Sequence, residues 1–364
     1  MAATDILLFV SGLAFLIGGA ELLVRGASRL AAGFGVSPLI IGLTVVAFGT
    51  GSPELAVGAR AAIAGQSDIA VGNVVGSNIF NTLFILGVSA LIVPLIVHDQ
   101  LVRMDVPIMI IVSGFLFLLC MDLRISKLEG AILVVCIVAY TALLMRLGRQ
   151  QHDRAVLEHP PDGAPASPRW WVIPAVTVVA GLTLLIAGAN WLVRSATAIA
   201  HGFGVSELVI GLTVIAAGTS LPEVATSIVA GIRGERDIAV GNVVGSNIYN
   251  ILAVLGIAGL LAPGGLAVAP AIYRFDLPIM VVVAMACLPI FLVHGRLSRW
   301  EGAIFLLYWC AYIAYLILRA AEHDALTRFG QVMTLYVIPL TVMTIAATAA
   351  RTLRRKAATR RAGG

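Results

Sequence analysis

Two short stretches, GTGSPE at 49–54 and GTSLPE at 218–223, each place a proline and a glutamate inside an apolar run long enough to cross a bilayer. A carboxylate at that depth is costly unless it faces a cavity or a partner, so ionisable residues there are functional by default. Pro53 removes the N–H that would satisfy the carbonyl of Gly49, and Pro222 does the same to Gly218. Carbonyls freed in this way are tolerated in a membrane only where they meet protein or a polar cavity.

The surrounding composition sets the solvent. With 60% hydrophobic residues, 12% charged residues and a mean hydropathy of +1.00, 364 residues do not describe a water-soluble fold. Spans are expected at about 6–30, 37–63, 69–95, 104–122, 127–147, 170–193, 205–231, 238–262, 275–293 and 299–318, with an eleventh near 331–350. The first lacks a small-residue cleavage site and reads as a retained helix. The net charge of +5 suggests no nucleic-acid face, because the basic residues collect at span ends and in the tail RTLRRKAATRR at 351–361. Arg103, Arg146, Arg149, Arg154, Arg169, Arg233, Arg236, Arg296 and Arg299 fall on one side if the N-terminus is outside, joined by the basic tail, which makes that side cytoplasmic, although Arg124, Lys127, Arg274 and Arg319, among others, run against the rule. Cys120, Cys136, Cys287 and Cys310 lie within spans without CxxC spacing and read as small hydrophobes, not as a disulfide framework or a zinc site.

The chain is also doubled. GFGVSPLIIGLTVVAFGTGSPE from Gly33 matches GFGVSELVIGLTVIAAGTSLPE from Gly202, and SDIAVGNVVGSNIFN matches RDIAVGNVVGSNIYN, at one constant offset and without a gap over roughly 60 residues. VRMDVPIMI at 102–110 pairs with YRFDLPIMV at 273–281, and RISKLEGAI at 124–132 with RLSRWEGAI at 296–304. Ser126 with Glu129 and Ser298 with Glu301 have the spacing of capping boxes. The polar segment 150–169 separates a first five-helix repeat at 1–149 from a second at 170–319, and 320–364 adds the extra helix and basic tail. Five spans per copy is odd, so the second copy enters from the opposite side. The expected fold is therefore an all-α integral membrane protein of two inverted five-helix repeats, ten core helices plus an eleventh.

Inversion brings Glu54 and Glu223 toward one another across a pseudo-two-fold axis near the midplane. Thr50 and Thr219 lie one turn earlier on the same helix faces. On the companion helices Asn73, Ser77 and Asn81, and likewise Asn242, Ser246 and Asn250, recur at i, i+4 and i+8. Gly72 with Gly76 and Gly241 with Gly245 have the GxxxG spacing of close helix contacts. Two carboxylates, freed carbonyls, hydroxyls and amides form an all-oxygen set suited to a hard cation such as Ca²⁺, and no histidine or cysteine joins it to suggest zinc or copper. The plainer readings are a proline kink, Asn and Ser serving as interhelical glue, a local Glu21–Arg25 ion pair, and Asp105 and Asp276 as N-caps ahead of Pro107 and Pro278.

GTGSPE followed by GNVVGSNIFN, and GTSLPE followed by GNVVGSNIYN, resemble the two alpha repeats of the calcium/cation antiporter superfamily, in its bacterial sodium/calcium exchanger-like branch. The resemblance runs from the first to the tenth helix. It implies exchange of Ca²⁺ for Na⁺, or in other branches for H⁺ or together with K⁺, by alternating access, with the second, third, seventh and eighth helices lining the ion sites. It makes Glu54 and Glu223 the central carboxylates and the backbone carbonyls of Thr50 and Thr219 Ca²⁺ ligands. Ser220, Ser77 and Ser246 join flanking Na⁺ sites, and Asn81 and Asn250 lie near the centre.

Two departures stand out. Gly51 occupies the position where the second repeat has Ser220, and Ser52 is about 100° further around the helix. Asn81 and Asn250 are both neutral where the family often carries one aspartate, so the site holds at most two negative charges. The expected mechanism is competition of Ca²⁺ and the counter-ion for one carboxylate pair, only loaded forms reorienting because empty buried carboxylates are too costly to move. H⁺/Ca²⁺ or other cation exchange is the alternative, and a cation channel a remote one. No nucleophile–base pair or HExxH motif points to an enzyme, and no cofactor is expected. The expected partners are Ca²⁺, the counter-ion and the lipid bilayer. The expected place is the bacterial inner membrane, with a single chain sufficient for transport.

Overall fold

The computed structural model describes residues 3–158, 169–202, 216–323, 325–341 and 343. Apolar residues on all faces of long helices produce a bundle whose outer surfaces are as hydrophobic as its interior, the pattern of a membrane span rather than an amphipathic helix. Among the described residues eight helices are long and apolar enough to cross a membrane, or nine with a bent pair counted as one span. In chain order they are α1 (Thr4–Phe34), the bent pair α2 (Pro38–Thr50) and α3 (Ser52–Ile63), α4 (Ser67–Ile92), α5 (Leu101–Asp122), α6 (Lys127–Gln151), α7 (Val172–His201), then the shorter α8 (Leu221–Ile232), and α9 (Arg236–Leu261), α10 (Ile272–Leu292) and α11 (Arg299–Ala320). With α8 counted, these stand at the ten positions the repeats require. The first part of the seventh span, 203–215, lies outside the described residues, as do 159–168 of the linker and most of the tail. Of the eleventh span, a short helix α12 (Ala325–Val332) and the turn Met333–Val337 are described, and Tyr308 Oη on α11 donates to the Val337 carbonyl at 3.4 Å.

The pseudo-two-fold relation is written in the contacts. A Cβ on Gly12 would lie 2.9 Å from the Gly188 carbonyl oxygen, and one on Gly19 would lie 2.8 Å from that of Gly181, so α1 and α7 meet backbone to backbone at two matched points. Gly130 against Gly256, and Gly87 against Gly302, form a second matched pair of such contacts, at 2.9 Å and 3.1 Å from added Cβ to carbonyl oxygen. Two short antiparallel ladders also cross between halves. β1 (Leu95–Ile96) pairs with β4 (Arg296–Leu297), and β2 (Arg124–Ile125) with β3 (Leu266–Ala267). Each half is thus built into the other.

The most deeply buried of the unbroken long spans are α4 and α9, 72% and 89% buried, against 6–39% for the other six. They carry the GNVVGSN motif in each copy and run through the middle. Gly241 and Gly245 let α9 approach the backbone of α2 near Leu39, Leu43 and Ala47, with an added Cβ on Gly245 only 2.9 Å from Leu43 Cα.

Both capping boxes form. Ser126 N–H donates to Glu129 Oε2 at 2.7 Å and Ser298 N–H to Glu301 Oε2 at 2.8 Å. The N-cap reading of Asp105 and Asp276 does not hold. A π-helical turn precedes each, Leu101–Asp105 and Ile272–Asp276, so the aspartates sit inside continuous helices with no cap bond. Their carboxylates instead accept from tyrosines, Tyr140 Oη to Asp105 Oδ1 at 3.0 Å and Tyr312 Oη to Asp276 Oδ1 at 2.8 Å.

Candidate functional site

The first GTGSPE segment breaks its span. α2 and α3 meet at 46° at Gly51, whose ψ of 2° is not helical. The second copy repeats the break at Ser220, with ψ 7°. After each break Pro53 and Pro222 open a new helix in its first turn, where a missing N–H costs nothing. Glu54 and Glu223 fall in those first turns, each 1% exposed. A carboxylate near a helix N-terminus gains from the local dipole, which offsets part of its burial.

The surrounding polar groups form two related halves. Thr50 Oγ1 reaches Asn242 Oδ1 at 3.0 Å, and Thr219 Oγ1 reaches Asn73 Oδ1 at 3.4 Å. Asn242 Nδ2 in turn donates to Ser227 Oγ at 3.0 Å. Asn73 and Asn242 therefore hold the broken helices against α4 and α9, the interhelical role open to them from the sequence. Ser220 Oγ donates to Glu54 Oε1 at 2.8 Å and stands 3.2 Å from Ser77 Oγ, so a second-repeat hydroxyl meets the first-repeat carboxylate.

Asn81 and Asn250 are fixed by a pair of residues that sequence periodicity did not single out. Asn81 Nδ2 donates to Asn247 Oδ1 and Asn250 Nδ2 to Asn78 Oδ1, both at 3.1 Å. Asn78 and Asn247 are anchored themselves, the first through Nδ2 to the Asn247 carbonyl at 3.1 Å, the second through Nδ2 to Thr82 Oγ1 at 2.9 Å. Because the amide N–H groups of Asn81 and Asn250 are taken, their oxygens remain. Among the buried oxygens that have no hydrogen-bond partner in the described residues are Asn81 Oδ1, Asn250 Oδ1, Glu54 Oε2 and Glu223 Oε2. They are two repeat-related pairs. Ser246 Oγ is likewise buried without a partner.

Buried acceptors left open cost free energy, on the order of 1–3 kcal/mol each and more for a charged oxygen, unless something supplies positive charge. No lysine or arginine is paired with either glutamate among the described ion pairs. No group of three or more His, Cys, Asp or Glu stands together among the described residues, so a transition-metal centre has no ligands there. All nine residues singled out from the sequence, Glu54, Glu223, Thr50, Thr219, Ser220, Ser77, Ser246, Asn81 and Asn250, lie on the four elements that meet at the two breaks or on the breaks themselves. Glu21 is outside this set. It forms the expected ion pair with Arg25 at 2.6 Å and a further one with Arg233 at 2.7 Å, tying α1 to the end of α8.

Comparison with known proteins accounts for this doubled arrangement. The family model described as sodium/calcium exchanger protein matches residues 4–146 and 173–318, one match on each copy. The chain belongs to the sodium/calcium exchanger family. Relatives of this exchanger-family chain include the putative antiporter CaxA of Alkalimonas amylolytica, 42% identical over 311 residues that cover 84% of this chain and 95% of the relative. The sodium/calcium exchanger MaX1 of Methanosarcina acetivorans is 31% identical, with 87% of this chain and 99% of the relative covered. The inner membrane protein YrbG of Escherichia coli K12 is 39% identical over 76% of this chain and 86% of its own length. Among solved structures, the sodium–calcium exchanger NCX_Mj superposes with a TM-score of 0.75 at 30% identity, covering 87% of this chain and all of the other. As a member of this family the chain is a multi-pass membrane transporter and not an enzyme, and the inverted-repeat fold expected from the sequence is the fold it has.

Proposed function

We propose that this chain is a secondary active antiporter that exchanges Ca²⁺ for Na⁺ across the bacterial plasma membrane by alternating access, with Glu54 and Glu223 as the shared carboxylates. The observation that carries the reading is the set of four buried, repeat-related oxygens without donors, on Glu54, Glu223, Asn81 and Asn250. A hard divalent cation takes six to eight oxygens from carboxylates, amides and carbonyls, and this set supplies the first four. The broken helices add the carbonyls of Thr50 and Thr219, and Ser77, Ser220 and Ser246 add hydroxyls for the monovalent ion. Supporting names come from relatives, one called an antiporter and others sodium/calcium exchangers.

Coupling follows from electrostatics. Two carboxylates in a low-dielectric interior repel strongly when unoccupied, so the empty form does not reorient, and Ca²⁺ and the counter-ion exclude one another from the same pair. The linker and C-terminal tail face the cytoplasm in this reading, in keeping with their basic residues.

The test is ⁴⁵Ca²⁺ uptake by proteoliposomes loaded with Na⁺, beside identical vesicles given only a pH gradient. Uptake that follows the Na⁺ gradient and is lost in Glu54→Gln supports the reading. Uptake driven by the pH gradient alone replaces Na⁺ with H⁺ as counter-ion, and undiminished uptake in Glu54→Gln removes the shared carboxylate.

A further inference from the structure

Away from the ion site, one cluster of charges joins the two copies. Arg233, the C-cap residue of α8, forks onto Glu21 of α1, with Nε donating to Oε2 at 2.8 Å and Nη2 meeting Oε1 at 2.7 Å. Two parallel charged bonds of this kind fix orientation as well as distance. Arg25 Nε meets the same carboxylate at 2.6 Å from one turn further along α1, so it adds no tie between helices. Two residues beyond Arg233, Glu235 Oε1 accepts from Ser28 Oγ of α1 at 2.6 Å. The helix that carries Glu223 in its first turn is therefore pinned to α1 just past its last.

The helix that carries Glu54 has no such pin. The constant offset of the repeat places Asn190 where the first copy has Glu21, and Thr197 where it has Ser28; it places Ala64 opposite Arg233 and Gln66 opposite Glu235. α7 has no acidic residue between Val172 and His201, and the acid of α3 is Glu54 itself, so no salt bridge like this one can join α7 to the far end of α3. Packing divides in the same way. α1 packs against α8, whereas α7 makes no comparable contact with α3. Inverted repeats reach the opposite-facing state by exchanging their arrangements about a fixed site. That exchange takes α1 off α8 and brings α7 onto α3, so it breaks a charged fork on the linker side and forms none on the other.

We propose that Glu21 and Arg233, with Ser28 and Glu235, are positioning residues that bias the protein toward the state closed on the linker side, so that ions reach Glu54 and Glu223 more readily from the opposite face. This deepens the exchange reading and rests on it. The residues touch no ion; they act through α8, whose first turn holds Glu223. An ion that binds only a minor state has its apparent affinity reduced by the population of that state, so the pin weakens binding from the linker face and removing it strengthens that binding. The two side chains of the fork are 21% and 52% exposed, and water screens a pair in that position. The bias is accordingly modest, roughly fivefold.

The experiment compares the two faces. ⁴⁵Ca²⁺ uptake by the full-length protein is measured against Ca²⁺ concentration in Na⁺-loaded everted and right-side-out membrane vesicles, the face that carries the linker being identified by protease access. Glu21→Gln and Arg233→Gln are each expected to lower the half-saturating Ca²⁺ roughly fivefold at the linker face and not to lower it at the opposite face. Arg25→Gln, which loses an ion pair within one helix, is expected to match wild type at both. Damage to packing alone would weaken binding at both faces together. An equal change at the two faces, no change in either pin variant, or the same one-sided shift in Arg25→Gln overturns the inference while leaving exchange intact. Ser28→Ala removes the second tie and is expected to shift the linker face in the same direction by less; it decides the matter if the charge variants do not fold. Absence of ⁴⁵Ca²⁺ uptake by wild type under any Na⁺ or pH gradient would instead overturn the exchange reading on which this one stands.

Discussion

At the scale of single residues the polar core is organised by orientation more than by charge. An asparagine amide offers a donor and an acceptor, and only one of these suits a cation. Here the donors of Asn81 and Asn250 are held by Asn247 and Asn78, so both oxygens are fixed as open acceptors. Asn247 is thus a positioning residue, comparable to the outer groups that orient metal ligands. Asn247→Ala frees the Asn81 amide to rotate and leaves its N–H to seek another acceptor in the site. We expect Ca²⁺ affinity to fall roughly 10–100-fold, the range typical of losing such a supporting group. Equilibrium ⁴⁵Ca²⁺ binding to the purified variant measures it, and an unchanged affinity would mean that the amide network only packs the helices. The sequence concealed this role for a geometric reason. Asn73, Ser77 and Asn81 line one helical stripe, whereas Asn78 lies about 100° from Ser77 and bonds across the pseudo-two-fold axis. The visible signal was the adjacent Ser-Asn pair, present in both copies within an apolar span.

At the scale of the element, helices in this bundle are specified by what they lack. Without water between them, membrane helices gain little from the hydrophobic effect and associate through close packing, which small residues permit. Gly181 meets the α1 backbone so closely that an added Cβ would lie 2.6 Å from the Leu23 nitrogen and 2.8 Å from the Gly19 carbonyl oxygen. Gly18, one residue from that seam, has nothing within 4 Å of such a Cβ. Gly181→Ala is therefore expected to destabilise the protein by about 1–3 kcal/mol through overpacking against backbone. Gly18→Ala is expected to be neutral or to stabilise by up to about 1 kcal/mol through helix propensity. Thermal unfolding of the two variants in one detergent compares them, and equal midpoints would show that the α1–α7 seam is not tightly packed. The existence and order of the spans were legible because twenty-residue apolar runs have few alternatives. The start of α5 and of α10 was not, because Asp-x-Pro is the signature of a helix start. The π-helical turns at Leu101–Asp105 and Ile272–Asp276 carry each helix past that signal, and Tyr140 and Tyr312 take up the carboxylates. A turn with one extra residue leaves no composition cue, and the tyrosines that reward it lie about 35 residues away.

At the scale of the whole molecule, the site belongs to neither half. Ser220 of the second copy bonds Glu54 of the first, Thr50 of the first meets Asn242 of the second, and the glycine seams and short ladders bind the copies along their length. This interlock was readable in outline, because a gapless internal repeat with an odd number of spans must be inverted and inverted repeats place their motifs face to face. An ion held between Glu54 and Glu223 therefore bridges both halves and stabilises the assembled protein rather than one helix pair. Binding to the folded state alone raises stability by about 2.7 kcal/mol when the free ion stands at 100 times its Kd. Ca²⁺ added to Na⁺-free protein in detergent is accordingly expected to raise the unfolding midpoint in a concentration-dependent way. Mg²⁺ is expected to do so much less, since it holds its water and demands a tighter octahedral cage than these helix breaks provide. Glu223→Gln separates this effect from general ionic screening: it removes one of the two charges that bind the ion, so the Ca²⁺-dependent shift should disappear while the unfolding midpoint without Ca²⁺ stays the same or rises, a buried carboxylate having been neutralised. A shift of equal size in Glu223→Gln, or an equal response to Mg²⁺, would place the stabilising ion away from the helix breaks and dissolve the link between the doubled motif and cation binding.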